Sequence, residues 1–432
     1  VGFRFTARPG HPTFIDLPWE RPLEEWQSDR IVSPVAGIHR HVVRFVAYGP
    51  DVYAVKELPG DLAEREYRLL RELDDRGVPV VEAVGVASGR VADDGTALDD
   101  VVITRHLEYS LPYRALFSRM TLNNLWQPLL DSLAQLLVRL HLAGFAWGDC
   151  SLSNTLFRRD AGALAAWLVD AETGELHDEL GLSDGQRAND LEIAQLNVAG
   201  ELLDIHAAEH GDLEDLPFDP AAIADDLRAR YDALWAELTR VEVFGADEQW
   251  RVDERVRRLN DLGFDVEEME LITTADGDGS RLHLSTRVLE PGHHRRELLS
   301  LTGLDVHENQ ARTLLNDIVR YRAYLEQSTG RAAPERVAAL RWMSEVFEPV
   351  MATMPSEVRG KLEPAEIFHQ VLEHRWLMSE RAGKDVGTEA AARDYGRLVL
   401  AKLPDERTVL SDRTMPIPII HAGDPPPPGA DT

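Results

Sequence analysis

The stretch HVVRFVAYGPDVYAVKEL, residues 41–58, admits few folds. Two runs rich in β-branched and aromatic residues flank Gly49-Pro50-Asp51, a turn signal that lets the chain reverse at once. Such runs pair as an antiparallel hairpin. Its period of two places Val52, Ala54 and Lys56 on one face of the second strand. A helix is expected next, over PGDLAEREYRLLRELDDRG, with Asp61 able to cap its start and Gly77 able to end it. VPVVEAVGVAS and DVVITRHLEY, around a polar loop at 91–100, add two strands.

After this β-rich beginning the pattern turns helical. LWQPLLDSLAQLLVRLHLAG, from Leu125 to Gly144, reads as a long amphipathic helix. FAWGDCSLSNTLFRRD and the apolar strand AAWLVDAET follow, then a helix at about 188–208. A further helix near 221–240 precedes a helix, strand, turn, strand pattern in ERVRRLNDLGFDVEEMELITTADGDGSRLHLSTRVLE. VHENQARTLLNDIVRYRAYLEQ is a strong helix, and more helices run to about Leu403. Residues 1–30 hold Pro and Trp without a period and read as an N-terminal extension. DPPPPGADT lacks the material for a core and reads as a disordered tail. The expected domains are therefore 1–30, 31–225, 226–410 and a tail at 411–432, in an α+β chain without internal repeats.

Lysine usage singles out one residue of the hairpin. Of 46 basic residues only Lys56, Lys361, Lys384 and Lys402 are lysines, so the first 360 residues hold just one. A compact ammonium on a flexible stem does what a wide planar guanidinium cannot. Ala54, two residues before it, leaves room for a flat group. On the following helix Leu62, Leu69, Leu70 and Leu73 form an inward stripe that includes Glu66. A carboxylate buried there needs a cation, since leaving it unpaired costs several kcal/mol or so. Lys56 can supply it; a nearby arginine beside a marginal Glu66 is the plainer alternative.

The loop after the long helix adds chemistry. GDCSLSN sets Asp149 and Asn154 five residues apart, the D-x-x-x-x-N spacing of a kinase catalytic loop. There the aspartate would accept a hydroxyl proton and the asparagine would ligate Mg²⁺. Sixteen residues on, Asp170 ends an apolar strand, where a carboxylate can hold Mg²⁺ against phosphates.

With these residues in order, the chain resembles the protein-kinase-like fold of the lipopolysaccharide kinase and aminoglycoside phosphotransferase type. YAVK resembles the V-A-I-K strand, WGDCSLSN the H-G-D-x-x-x-x-N loop, and VDAE the D-x-E of those relatives. The resemblance covers about residues 31–225. It implies a small β-rich lobe and a helical lobe, an ATP- and Mg²⁺-dependent transfer to a small-molecule or glycan hydroxyl, and Lys56 with Glu66 on the phosphates. It also implies Asp149 as base, Asn154 and Asp170 on metal, and Asp190 bracing the loop. Adenine would lie by Thr104, Arg105, His106 and Leu107, beyond Ala54, and Gly37 would belong to the phosphate cover. GLDVHENQARTLLNDIVRYRAYL and FHQVLEHRWLMSERAGKDVG resemble a C-terminal domain of unknown function found in actinobacterial proteins. That domain could shape the acceptor pocket or bind a protein partner.

Some features depart from the family pattern. SPVAGIHRH offers Gly37 alone where a Gly-rich loop is usual, and Trp147 stands where H-G-D has histidine. No APE-type segment follows Asp170. The missing APE-type segment argues against a regulated protein kinase, while the missing Gly-rich loop and the large appended domain keep a second reading open, a catalytically weak nucleotide-binding scaffold. HAAEH at 206–210 matches H-x-x-E-H but lacks a clear third zinc ligand. Glu366, His369 and Glu373 share a helix face, yet one helix does not make a metal site. DGDGS at 276–280 reads as a hairpin turn rather than a calcium loop. Asp170 and Glu172, two apart, lack the flanking geometry of glycosidase carboxylates.

The formal charge of −29 opposes bulk binding to nucleic acid or anionic lipid. No run of about 18 apolar residues predicts a membrane span. The single cysteine, Cys150, reads as a small buried residue and excludes an internal disulfide framework. With no secretion signal in the N-terminal residues, a cytoplasmic location is expected.

Overall fold

A computed structural model of the chain describes residues 2–32, 41–113, 116, 126–177, 181–210, 216, 218–239, 242–245, 254, 257, 264–276, 279–403 and 405–407. Among the described residues, those up to 71 and those in 81–106 form one compact unit, and those in 72–80 and from 107 to 407 form another. The first is β-rich and the second mainly helical, the α+β class that the sequence implies. Gly37 and the tail at 411–432 lie outside the described residues.

In the first unit, β1 (Arg4–Ala7), β2 (Ile31–Val32), β3 (Val43–Tyr48), β4 (Asp51–Leu58), β5 (Ala83–Ser88) and β6 (Asp100–Arg105) make one sheet in the order β1-β5-β6-β4-β3-β2. Every neighbouring pair is antiparallel. The hairpin forms as its pattern dictates: Tyr48 faces Asp51 across the turn, and Gly49 takes the left-handed φ of 64° that the reversal requires. Alternation along β4 also holds, with Tyr53 and Val55 buried and Val52, Ala54 and Lys56 half-buried on the other face.

Residues 1–30 differ from the expected extension. Arg4–Ala7 pairs with β5 as the edge strand, and Phe14, Leu17, Trp19, Leu23 and Trp26 join Val46, Tyr53, Val55, Val101 and Ile103 in one core. These aromatic residues reach the sheet from an irregular path, so their spacing carries no period. Arg90 fastens that path. Its guanidinium is fully buried and donates to the carbonyls of Trp19 at 3.1 Å, Asp99 at 2.8 Å and Arg21, and to the Glu57 carboxylate at 2.6 Å.

Helix α1 (Leu62–Asp75) follows β4 almost directly. Its buried stripe is Ala63, Glu66, Tyr67, Leu70 and Leu73, with Leu62 and Leu69 only half-buried, so the inward face is turned slightly from the one expected. Gly77, at φ 71°, donates to Asp74 O, and Val78 N donates to Leu73 O, ending the helix as its glycine predicts.

The second unit opens with β7 (Ser110–Pro112) and the buried helix α2 (Trp126–Leu142). Next come β8 (Phe145–Ala146), β9 (Thr155–Asp160), β10 (Ala163–Leu168) and β11 (Glu175–Leu176), then α3 (Asp184–His210) and α4 (Pro220–Thr239). β12 (Glu242–Gly245), β13 (Phe264–Asp276) and β14 (Gly279–Pro291) make a three-stranded sheet. Asp276 pairs with Gly279, so DGDGS is a hairpin turn as expected, and its middle residues 277–278 lie outside the described set. Most of the helix expected before β13 lies outside it too.

Helices α5 (His293–Thr302), α6 (Glu308–Thr329), α7 (Glu335–Trp342), α8 (Glu348–Thr353), α9 (Pro364–Ala382) and α10 (Thr388–Leu398) complete the chain's described part. They share a core in which Trp342, Phe347 and Phe368 pack with ring centroids 5.3 to 5.5 Å apart. Among the described residues no helix is long and apolar enough to cross a membrane.

Arg90 gives a stability test. Arg90→Met removes the cation but leaves Glu57 and three carbonyls facing apolar surroundings, so unfolding free energy should drop by about 3 kcal/mol or more. Chemical denaturation reads this directly, and a loss below about 1 kcal/mol would contradict the role given to Arg90.

Candidate functional site

In the β-rich unit, strand phase and helix phase bring Lys56 and Glu66 together. Lys56 on β4 lies opposite Val43 of β3 and Val102 of β6. Its Nζ donates to Glu66 Oε2 at 3.2 Å, with the Glu66 side chain 1% exposed and that of Lys56 14%. The carboxylate therefore has a cation in contact, and the ammonium is held on a face that also carries the small side chain of Ala54. Removing either partner would leave the other charge poorly solvated, a loss of about 3–5 kcal/mol.

The segment after β6 continues that unit. Thr104 pairs with Ala54 and is buried. Arg105 turns outward to Asp51 at 2.6 Å, where β4 begins and β6 ends. His106 donates its amide to Val52 O at 2.8 Å and packs its ring edge-on to Phe45. Burial lowers the His106 ring to about 4, so the imidazole is neutral at ordinary pH. In the second unit, Leu107 offers its carbonyl to Ser110 Oγ at 2.6 Å.

There, Gly144 ends α2 and β8 leads into the loop at 147–154. Gly148 adopts φ 73°, a left-handed conformation that favours glycine. Asp190 sits in the second turn of α3, which starts earlier than expected, and is 1% exposed. Its Oδ2 accepts from Trp147 N and its Oδ1 from Gly148 N, both at 2.7 Å. His141 Nε2 lies 3.0 Å from the same carboxylate, and His141 Nδ1 lies 2.7 Å from the Tyr231 hydroxyl. Burial raises the Tyr231 phenol above its ordinary value, which keeps it a neutral partner.

Two further residues of α3 extend this brace. Asn197 Nδ2 donates to Asp149 Oδ1 at 3.2 Å and to Cys150 O at 3.1 Å. Glu201 accepts Leu152 N at 2.6 Å and Ser153 N at 2.9 Å. Positions 190, 197 and 201 are seven and four residues apart, one face of a helix. That face holds the loop at three successive points. Of the three, the sequence motifs point to Asp190 alone; Asn197 and Glu201 share its helix face by spacing.

Within the loop, Asn154 Nδ2 donates to Asp149 Oδ2 and to Asp149 O, each at 3.1 Å. Both Asp149 carboxylate oxygens thus receive an amide N–H, which fixes the group while leaving it lone pairs to accept a proton. Asp170 lies two residues beyond the end of β10, not within the strand. Its Oδ1 accepts Glu172 N at 3.0 Å, the hydrogen bond of a local turn. Val169 N donates to Asn154 O at 3.1 Å, tying Asn154 to the chain beside Asp170. Trp147, where histidine was expected, is wholly buried and donates its indole N–H to Asp170 O at 2.9 Å. It links the loop to the turn and fills the space around the link.

Other expectations resolve more simply. Cys150 is buried, and burial pushes its thiol well above the ordinary range, so it is an inert core residue. Glu366 accepts Ala161 N and Gln370 Nε2, and His369 faces Glu373 at 3.5 Å, contacts that a structural role explains. His206 is buried against Phe218; the side chains of Glu209 and His210 lie outside the described residues.

Residues 49–205 match the family model of the lipopolysaccharide kinase (Kdo/WaaP) family. Residues 233–400 match that of a domain of unknown function, DUF4032. The chain therefore couples a lipopolysaccharide-kinase-like segment to this domain, as the motifs imply. A solved structure described as WaaP in complex with acyl carrier protein is 16% identical, with a TM-score of 0.34 over 54% of this chain and 99% of that one. No curated protein matches the chain.

The neutral His106 makes stability depend on pH. Its folded value near 4 lies below the ordinary 6.5 or so, hence the unfolded chain binds a proton first as pH falls. The contribution is complete above pH about 6.5 and is lost as pH falls toward about 4. Denaturant titrations across this window should show a shallower decline for His106→Gln than for wild type; equal slopes would refute the assignment.

Proposed function

We propose that the chain is an ATP- and Mg²⁺-dependent phosphotransferase acting on a hydroxyl of a small molecule or glycan. The observation that carries this reading is the Asp149 carboxylate held at both oxygens, one of them by Asn154, in a loop with kinase spacing. In this role Asp149 accepts the acceptor hydroxyl's proton as its oxygen bonds to the γ-phosphorus and ADP leaves. Lys56, steadied by Glu66, binds phosphate oxygens. Thr104, Arg105, His106 and Leu107 would border the adenine, with Ala54 leaving it space.

Asn154 and Asp170 offer the hard oxygen donors that Mg²⁺ prefers, so the residues present fit that ion. Bound there, Mg²⁺ would neutralise charge on the transferring phosphate. The chain's own contribution is then position: loop, lysine and turn are each held by hydrogen bonds or an ion pair of the chain's own residues. The lipopolysaccharide-kinase match supports a sugar-containing acceptor class.

A second reading has its own motive. With only Gly37 in residues 33–40 and a large appended domain, the chain could be a nucleotide-binding regulatory scaffold with little turnover. ATP hydrolysis and transfer assays with calorimetry separate the two. Asp149→Asn should lower turnover by about 100-fold or more while ATP binding persists. Lys56→Arg should weaken nucleotide binding about tenfold or more despite its conserved charge. Tight ATP binding with no turnover over a broad acceptor screen favours the scaffold, and no nucleotide binding overturns both.

A further inference from the structure

The hairpin of β9 and β10 joins the two proposed metal-holding residues. Asn154 immediately precedes β9, Asp170 follows β10 by two residues, and the strands pair without a break from Thr155–Leu168 to Asp160–Ala163. The feet are closed by Val169 N on Asn154 O. The tip, residues 158–161, is gripped by the part of the chain that matches the domain of unknown function and by the segment just after it.

Asp160 at the tip is 3% exposed and accepts Gln310 N at 2.7 Å, Asn309 N at 3.2 Å and Asn309 Nδ2 at 3.0 Å, all from the first turn of α6. Gln310 returns a bond to Arg159 O at 3.1 Å. Ala161 N donates to buried Glu366 at 3.0 Å. Arg159 makes a fork of 2.9 and 3.0 Å with Glu406, and Arg158 pairs with Glu363. Burial alone would raise the Glu363 carboxyl, yet His307 at 3.3 Å and the Arg158 charge outweigh it and leave the group below its ordinary value.

A merely adhesive contact would be apolar. Buried polar bonds instead demand one geometry, because any slip strands a charge or an amide. A hairpin clamped at its tip and closed at its feet moves as one body. We propose that the domain matched by residues 233–400, with the Glu406 segment, sets the placement of Asn154 and Asp170 by clamping this hairpin, making Arg159, Asp160 and Gln310 positioning residues for metal binding. The inference rests on the phosphotransferase reading, which supplies the metal role of Asn154 and Asp170.

The test uses the full chain, with Mn²⁺ as the metal probe, titrated by electron paramagnetic resonance at saturating ATP. Temperatures stay well below each variant's melting point, so unfolding does not enter. Arg159→Ala, Glu406→Ala and Asp160→Asn should each weaken Mn²⁺ binding about tenfold, the scale seen when groups behind a metal ligand are lost. The reversed pair Arg159→Glu with Glu406→Arg should regain most of it. Arg375→Ala, which breaks an exposed pair with Asp385 in the same domain, should leave binding unchanged. Asn154→Ala tells the two claims apart. If it binds Mn²⁺ like wild type, the functional reading fails and the inference with it. If it weakens binding while the folded tip variants do not, the clamp alone is overturned.

Discussion

Everything around the loop at 147–154 depends on one buried carboxylate, that of Asp190. An aspartate 1% exposed in the core is tolerable only if its charge is met, and two backbone amides at 2.7 Å with His141 at 3.0 Å meet it. The same bonds leave the loop no freedom where it leaves β8. Asn197 and Glu201 then continue the constraint along α3, so the helix acts as a rail from Trp147 to Ser153. The chain shows no activation-type segment after Asp170 in its sequence, and this rail offers a reason that none is needed: the loop is organised from below.

Lysine in this arginine-rich chain marks places where a point charge suits the geometry. Lys56 reaches the buried Glu66 carboxylate at 3.2 Å from β4. Lys361 shows the same preference away from the site, where its Nζ donates to the carbonyls of Leu400, Ala401 and Leu403 at 3.3, 2.9 and 2.6 Å. Three rotatable donors on a compact head converge on a helix end, which a planar fork could not do as well.

How far the sequence could be read depended on whether a feature was local. Hairpin, helices, catalytic-type loop and the Lys56–Glu66 pair all follow from period and spacing within a few dozen residues. The N-terminal aromatics did not, because they pack on the sheet through Arg90, about seventy residues away along the chain, and no window contains both partners. The bonds that hold the tip of β9 and β10 are equally hidden: Asp160 and Gln310 are 150 residues apart, and the Ala161 amide that Glu366 accepts, 205 residues away, leaves no trace in composition. Asn197 and Glu201 lay between these extremes. Their spacing from Asp190 was visible, but only the fold shows which helix face meets the loop.

The central claim, that these residues handle ATP with a divalent ion, is met most directly by a crystal soaked with a non-hydrolysable ATP analogue and Mn²⁺. Anomalous scattering locates the ion without reference to the protein. The account predicts a manganese peak about 2.0–2.4 Å from oxygens of both Asn154 and Asp170, with the Lys56 ammonium on a phosphate oxygen. Manganese bound elsewhere, or a nucleotide that leaves Lys56 paired to Glu66 alone, would contradict it.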